Sequence, residues 1–404
     1  MSALVTVMLF FFIWALFAGR LARGGIAAPL AMVAIGIAAT AGSDPLIVIE
    51  LDTGSAEVGV EIVLALLLFI DATEVSVAAL RRQRSTIIRL LGIALPLSLA
   101  LAWLLGLVFF PDLNFWLLAV LATIIVPVDP TPAGAVLRDR RIPQTVRESL
   151  NVESGLNDGF IAPVFLFCLA GATAGADGRT PTAALLLAVP ALSIAIAVGL
   201  LVGLLGARLI IWAYSAGWTE ASSLRLGVLA LPLVAFGSAV LLSGNGFIAA
   251  FVAGICFGRA TRQVPGDALH LTEDVSTMFT LILWFAFGQI VNQTLAEGGL
   301  WIYVPYAVLG LTVVRMVPVA ISLAGAGMNR RDVLVLGWLG PRGLASIVFG
   351  LLAYLGLQSP ESDTVANIMV ATVTLSVVCH GLTARLIGAW YGRRPDGLEQ
   401  KVVP

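Results

Sequence analysis

Two short stretches hold most of the chemistry that this chain offers. The first, Asn151-Val-Glu-Ser-Gly-Leu-Asn-Asp158, sets two carboxylates, a hydroxyl and an amide at the head of an apolar run that continues from Ile161 to Phe167. The second, Ile125-Val-Pro-Val-Asp-Pro-Thr-Pro132, crowds three prolines around Asp129. Prolines remove backbone donors and break the helical ladder, so carbonyls such as that of Val128 are released and need a partner. On a helix, Ser154 and Asp158 lie four apart on one face, while Glu153 and Asn157 share a neighbouring one. The carboxylates of Asp129 and Asp158, the Ser154 hydroxyl, the Val128 carbonyl and water make the oxygen set that a hard monovalent cation requires. Burial disfavours a charged carboxylate, and a second one nearby adds to that effect. Protons and cations then compete for the same oxygens, and either occupant neutralises the site and expels the other.

Other reactive side chains are few. Arg315 and Arg342 are the basic residues deep inside apolar segments, and an unpaired arginine there is costly. Glu153 is a candidate acceptor for one of them, and charge alone does not choose which. His270 is expected in a loop and His380 in the interior, neither with a special role. Cys168, Cys256 and Cys379 fall in apolar segments without paired spacing, so they read as packing residues, with no disulfide framework and no thiolate metal site. No cofactor is expected.

The elements that must position these groups are membrane helices. Of 404 residues, 59% are hydrophobic and 12% charged, with a mean hydropathy of +1.00, which points to an all-α polytopic membrane protein. Continuous apolar runs of helical length exclude a β-barrel, and a net charge of −1 argues against nucleic-acid partners. Thirteen spans are predicted, at roughly 3–19, 26–42, 57–80, 87–110, 114–137, 148–172, 182–213, 221–243, 245–258, 273–292, 300–323, 332–354 and 363–390. Residues 1–391 then form one transmembrane domain, and 392–404 a short tail with no appended regulatory domain. No basic residue precedes the first run and no small-residue cleavage signature follows it, so it reads as a retained helix. Asp158 lies ten residues into its span, about 15 Å deep at the helical rise. Asp129 sits at similar depth, so the two can meet near the midplane.

Basic residues give the orientation. With the N-terminus outside, the clusters Arg20/Arg23, Arg81–Arg84, Arg138–Arg141 with Arg147, Arg208 to Arg225, Arg259/Arg262, Arg330/Arg331 and Arg393/Arg394/Lys401 all become cytoplasmic. Only Arg179 falls in an external loop, and the external loops are acidic (Asp44, Glu50, Asp52, Asp112, Asp177, Glu297, Glu361, Asp363). That is the positive-inside pattern of a multi-pass protein of the cell (inner) membrane, with a cytoplasmic C-terminus. Thirteen spans also allow two inverted six-helix repeats, spans 1–6 and 8–13. They would set span 5, broken by Pro127, Pro130 and Pro132, against span 12, broken around Gly340-Pro-Arg-Gly343.

Taken together, Val128-Asp-Pro130, Glu153-Ser-Gly-Leu-Asn-Asp158, Arg315 and Gly340-Pro-Arg-Gly343 resemble the NhaP-like branch of the cation:proton antiporters. The resemblance covers essentially the whole membrane region. It implies crossed, discontinuous helices 5 and 12, and a core (roughly 87–172 and 300–390) moving like an elevator against a dimerisation scaffold (roughly 1–80 and 182–292) in a homodimer. It also implies exchange of Na+ or Li+ for H+, with K+ as the alternative cation. By similarity Asp129, Asp158, Ser154 and the Val128 carbonyl bind the ion and proton, Glu153 pairs with Arg315, and Arg342 stabilises the helix break. Asn157 stands where electrogenic relatives carry a second aspartate, which implies electroneutral exchange. Position 128 is Val where the family usually has Thr, so only a backbone contact carries over.

Two rival classes fare worse. An intramembrane aspartyl protease would use two membrane aspartates, but its Gly-x-Gly-Asp signature is absent, so no enzymatic activity is expected. A cation channel would need a continuous pore without obligatory proton movement. Asp71 and Glu74, in Phe69-Ile-Asp-Ala-Thr-Glu74, have two readings: funnelling cations or, preferred here, pairing with Arg81–Arg84.

Overall fold

In lipid every backbone polar group must be paired within the chain, and the apolar runs answer with helices; no strand occurs among the described residues. The computed structural model describes residues 2–24, 26–42, 53–75, 77–174, 181–260 and 267–392. Arg179, Arg262, Arg393, Arg394, Lys401, Asp44, Glu50, Asp52, Asp177 and the side chain of Glu74 lie outside the described residues, as does the tail from 393.

The main helices are α1 (Ser2–Gly24), α2 (Ala28–Thr40), α3 (Thr53–Glu74), α4 (Arg84–Phe109), the interrupted α5, α6 (Gln144–Ala174) and α7 (Pro181–Ser215), with a short helix Val77–Arg82 between α3 and α4. They continue with α8 (Ala221–Leu241), α9 (Gly246–Ala260), α10 (His270–Glu297), α11 (Val304–Ser322), the interrupted α12 and α13 (Glu361–Gly392). Among the described residues, eight helices are long and apolar enough to cross a membrane, joined by shorter apolar ones such as α2 and α9. The protein is a multi-pass membrane protein. α6 starts a turn before its apolar run, where Gln144 donates to Glu148 at 2.7 Å, and His270 opens α10 instead of lying in a loop.

Four helices depart from regularity. α5 runs as Phe115–Ile125, loses α-helical form through the proline-rich link, which holds only a 3-10 turn at Thr131–Ala133, and resumes as the short helix Ala135–Arg138. α12 runs as Arg330–Trp338 and Leu344–Gly356, with residues 339–343 non-helical between them. α4 widens into a π turn at Leu90–Ala94, just before Pro96, whose ring removes a donor and crowds the preceding turn. α11 breaks at Thr312 (φ −107°, ψ −82°).

Packing joins α3, α7, α8 and α9 to one another, and α2 to α10. At these crossings small residues let backbones meet: a Cβ on Gly36 would strike Phe285, one on Gly288 would strike Val33, and one on Gly254 would strike Phe69. α4, α5, α6, α11, α12 and α13 pack among themselves. There Phe165 of α6 stacks on Phe349 of α12 with ring centroids 4.6 Å apart, both fully buried.

Candidate functional site

The two interruptions cross and hold each other. Asp129 lies in the link of α5, and its N–H donates to the carbonyl of Pro341 in the link of α12 at 2.8 Å. Its Oδ2 accepts from the N–H of Leu344 at 3.0 Å and its Oδ1 from the N–H of Thr131 at 2.8 Å. Leu344 is the first residue of the second half of α12, so the carboxylate faces the positive end of a helix whose first N–H groups lack helical partners. The approach depends on Gly343, because a Cβ there would collide with the Asp129 carboxylate.

Arg342 returns the exchange. Fully buried, it donates through Nη1 to the carbonyls of Val126 at 2.6 Å and Pro127 at 3.0 Å, and through Nη2 to Gly310 of α11 at 3.3 Å. Val126 and Pro127 sit at the negative end of the first half of α5, where carbonyls have no helical donor. Each break thus supplies the charge that the other helix end attracts. The guanidinium is met by three backbone carbonyls, so Glu153 is not needed for it.

Glu153 pairs with Arg315 instead. The guanidinium forks onto the carboxylate, Nη1 to Oε1 at 2.5 Å and Nη2 to Oε2 at 2.8 Å, with both side chains buried. Nη2 also donates to the Leu336 carbonyl at 3.3 Å, so this one pair fastens α6 to α11 and α12. Gly340 gives the arginine room, since a Cβ there would press on its Nε.

Asp158 and Ser154 look elsewhere. Together with Asp129, Val128, Asp71 and Thr280 they line a cavity of about 340 Å³. Asp158 is half-buried, and its Oδ1 is a buried acceptor with no hydrogen-bond donor among the described residues. A buried carboxylate oxygen left without a donor is expensive, and its surround of carboxylate, hydroxyl and carbonyl oxygens suits a hard monovalent cation or a proton. Neighbouring Asn157 is buried and its Oδ1 likewise finds no donor there.

The residues singled out in the sequence therefore fall into two clusters. Asp129, Asp158, Ser154 and Val128 share the cavity; Glu153, Arg315 and Arg342 bind the helices around it. Asp71 lines the cavity beside the two aspartates, the place that its other reading, funnelling cations, requires, and Arg82 is engaged by Glu148 at 2.7 Å. The signal was present, an acid placed before the polar end of an apolar helix, but the nearby arginines offered a simpler explanation. Thr280 of α10 gave no signal, since single hydroxyls are common in membrane helices.

The family described as sodium/hydrogen exchanger, transmembrane, matches residues 5–390. A Na(+)/H(+) antiporter of Schizosaccharomyces pombe is 25% identical over 383 residues, covering 84% of this chain and 79% of that protein. The K(+)/H(+) antiporter NhaP of Alkalimonas amylolytica is 22% identical over 296 residues, covering 72% of this chain. The match spans 49%, about half, of that relative's length. Among solved structures, the sodium proton antiporter of Methanocaldococcus jannaschii at pH 8 superposes with a TM-score of 0.79 at 20% identity, covering 97% of this chain and 99% of that one. At that identity the likeness establishes the fold.

Proposed function

The chain belongs to the sodium/hydrogen exchanger family, transporters and not enzymes, and from that premise we propose that it exchanges one Na+ or Li+ for one H+ at Asp129 and Asp158. The observation that carries the reading is the shared cavity, in which the Oδ1 of Asp158 is buried without a donor while both oxygens of Asp129 are held by backbone N–H groups. Asp158, with Ser154 and the Val128 carbonyl, takes the cation; protonation of Asp158 releases it. Asp129 stays fixed at the crossing and contributes charge. Glu153, Arg315, Arg342 and Asn157 support this arrangement without touching the ion. With Asn157 in place of a second acid, one charge enters for each that leaves.

The packing supports alternating access. The group α4–α6 with α11–α13 is the moving core, and α1–α3 with α7–α10 the scaffold through which two copies pair. The basic connections on one side of the bundle face the cytoplasm of a cell (inner) membrane, the N-terminus facing outward. A K+ reading is favoured by one observation, the relative named as a K(+)/H(+) antiporter.

The test is flux in vesicles holding the purified protein. A pH gradient is imposed, Na+, Li+ or K+ is added, and dequenching of a pH dye is followed with and without an ionophore clamping the voltage. Cation-driven proton flux that ignores the clamp is expected, and Asp158→Asn brings it to background. No flux in the wild type overturns the antiport reading, unchanged flux in Asp158→Asn overturns the site, and voltage-driven flux overturns one-for-one exchange.

A further inference from the structure

The interruption of α12 is gripped on one side by Asp129, and on its other side it rests on α13. Trp338 is the last helical residue before the interruption, and Arg342 lies near its far end. The fully buried His380 places Nε2 at 2.9 Å from the Trp338 carbonyl, and its Nδ1 is 3.1 Å from Oγ of Ser376, one turn earlier on α13. That same Oγ accepts the N–H of Arg342 at 2.6 Å.

Of the two forms of a neutral ring, hydrogen-bond directions favour the one in which both nitrogens have a partner. The Trp338 carbonyl can only accept, so Nε2 carries the proton and donates. Nδ1 is then an acceptor, and the Ser376 hydroxyl is the donor that reaches it. Placing the proton on Nδ1 instead, toward the Ser376 carbonyl at 2.9 Å, would leave the bare Nε2 facing only a carbonyl oxygen, whereas a bare Nδ1, which also lies against that Ser376 carbonyl, has the Ser376 hydroxyl as a donor. The chain therefore runs from Arg342 N–H to Ser376 Oγ, from Ser376 O–H to His380 Nδ1, and from His380 Nε2–H to Trp338 O. It spans the interruption from end to end and gives each ring nitrogen of His380 a hydrogen-bond partner. The indole of Trp338 adds a second hold: its ring lies 4.9 Å from the imidazole, and its Nε1 donates to Thr383 Oγ1 at 3.0 Å.

We propose that His380 and Ser376 are positioning residues for the exchange site: they clamp both ends of the α12 interruption, which in turn holds the Asp129 carboxylate through Leu344. This rests on the antiport reading only for its effect on transport. The clamp touches neither cation nor cavity, so its loss should shift affinity before turnover.

Two measurements on the purified full chain test it: cation-driven flux in vesicles, and hydrogen exchange of the peptide covering 338–344. His380→Ala and Ser376→Ala are expected to raise the half-saturating cation concentration by about fivefold, the scale of one ordinary hydrogen bond. The maximal rate should stay within about twofold on the same scale, with faster exchange at the Arg342 amide. In His380→Gln the amide nitrogen occupies the place of Nε2 and can still donate to the Trp338 carbonyl, so half-saturation should move back toward the wild type. Unchanged half-saturation in both alanine variants, with only less protein or a lower maximal rate, overturns the proposal. If His380→Ala does not accumulate in membranes, Ser376→Ala, which deletes one oxygen, decides by the same readouts. A wild type without cation-driven flux overturns the antiport reading, and hydrogen exchange then decides alone whether the clamp holds the interruption.

Discussion

A carboxylate inside an apolar bundle persists only if something answers its charge, and the three acids nearest the crossing are answered differently. Asp129 has two backbone N–H groups, Glu153 has a forked arginine, and the Oδ1 of Asp158 has no protein donor among the described residues. Removing one half of the Glu153–Arg315 pair leaves a buried charge uncompensated, so Arg315→Met should lower stability by about 3–5 kcal/mol in thermal unfolding. The double variant Glu153→Leu/Arg315→Met should recover most of it, because a well-packed apolar pair replaces a buried ion pair at little cost. Much of this residue-level division was legible in the sequence: the spacing that puts Ser154 with Asp158 and Glu153 with Asn157 follows from helical periodicity. The partner of Arg342 was not. A sequence displays side chains, whereas Arg342 is met by the backbone carbonyls of Val126, Pro127 and Gly310, set free by breaks whose shape depends on distant contacts.

At the level of elements, three prolines are enough to foresee that α5 breaks, and Gly340-Pro-Arg-Gly343 marks the break in α12. That the two breaks meet is a tertiary fact: Asp129 and Leu344 are 215 residues apart. Gly343 is where the meeting is tightest, and Gly343→Ala should push the Asp129 carboxylate off the end of α12. Flux should fall by about tenfold or more, in keeping with the penalty for displacing a preorganised group by about 1 Å. Gly237→Ala in α8, where a Cβ meets nothing within 4 Å, is the control and should leave flux unchanged. The His380–Ser376 clamp was equally hidden. A histidine in an apolar helix carries no sign of which carbonyl its ring will face.

For the whole molecule, the proposed competition of cation and proton at Asp158 sets how transport should depend on pH. Cation binding requires the carboxylate free of its proton, so acidification weakens the cation and alkalinisation strengthens it. While the site is mostly protonated, the half-saturating cation concentration should fall by about tenfold for each pH unit raised if one proton leaves per cation, and by about a hundredfold if two do. A series of flux titrations at fixed voltage separates the two. Composition and the charge of the loops gave the membrane class directly, whereas the place of Asp71 in the cavity wall could not be chosen from its sequence neighbours, because the arginines that follow it offered a competing account. The crossing itself also has a mechanical meaning. Four hydrogen bonds join the links of α5 and α12, two from Arg342 and two through Asp129, so the joint carries load as one piece. Pulled from the C-terminal end by a cantilever, α13 should yield first, and the extraction of α12 should then come as a single rupture at the highest force of the trace, dragging α5 with it.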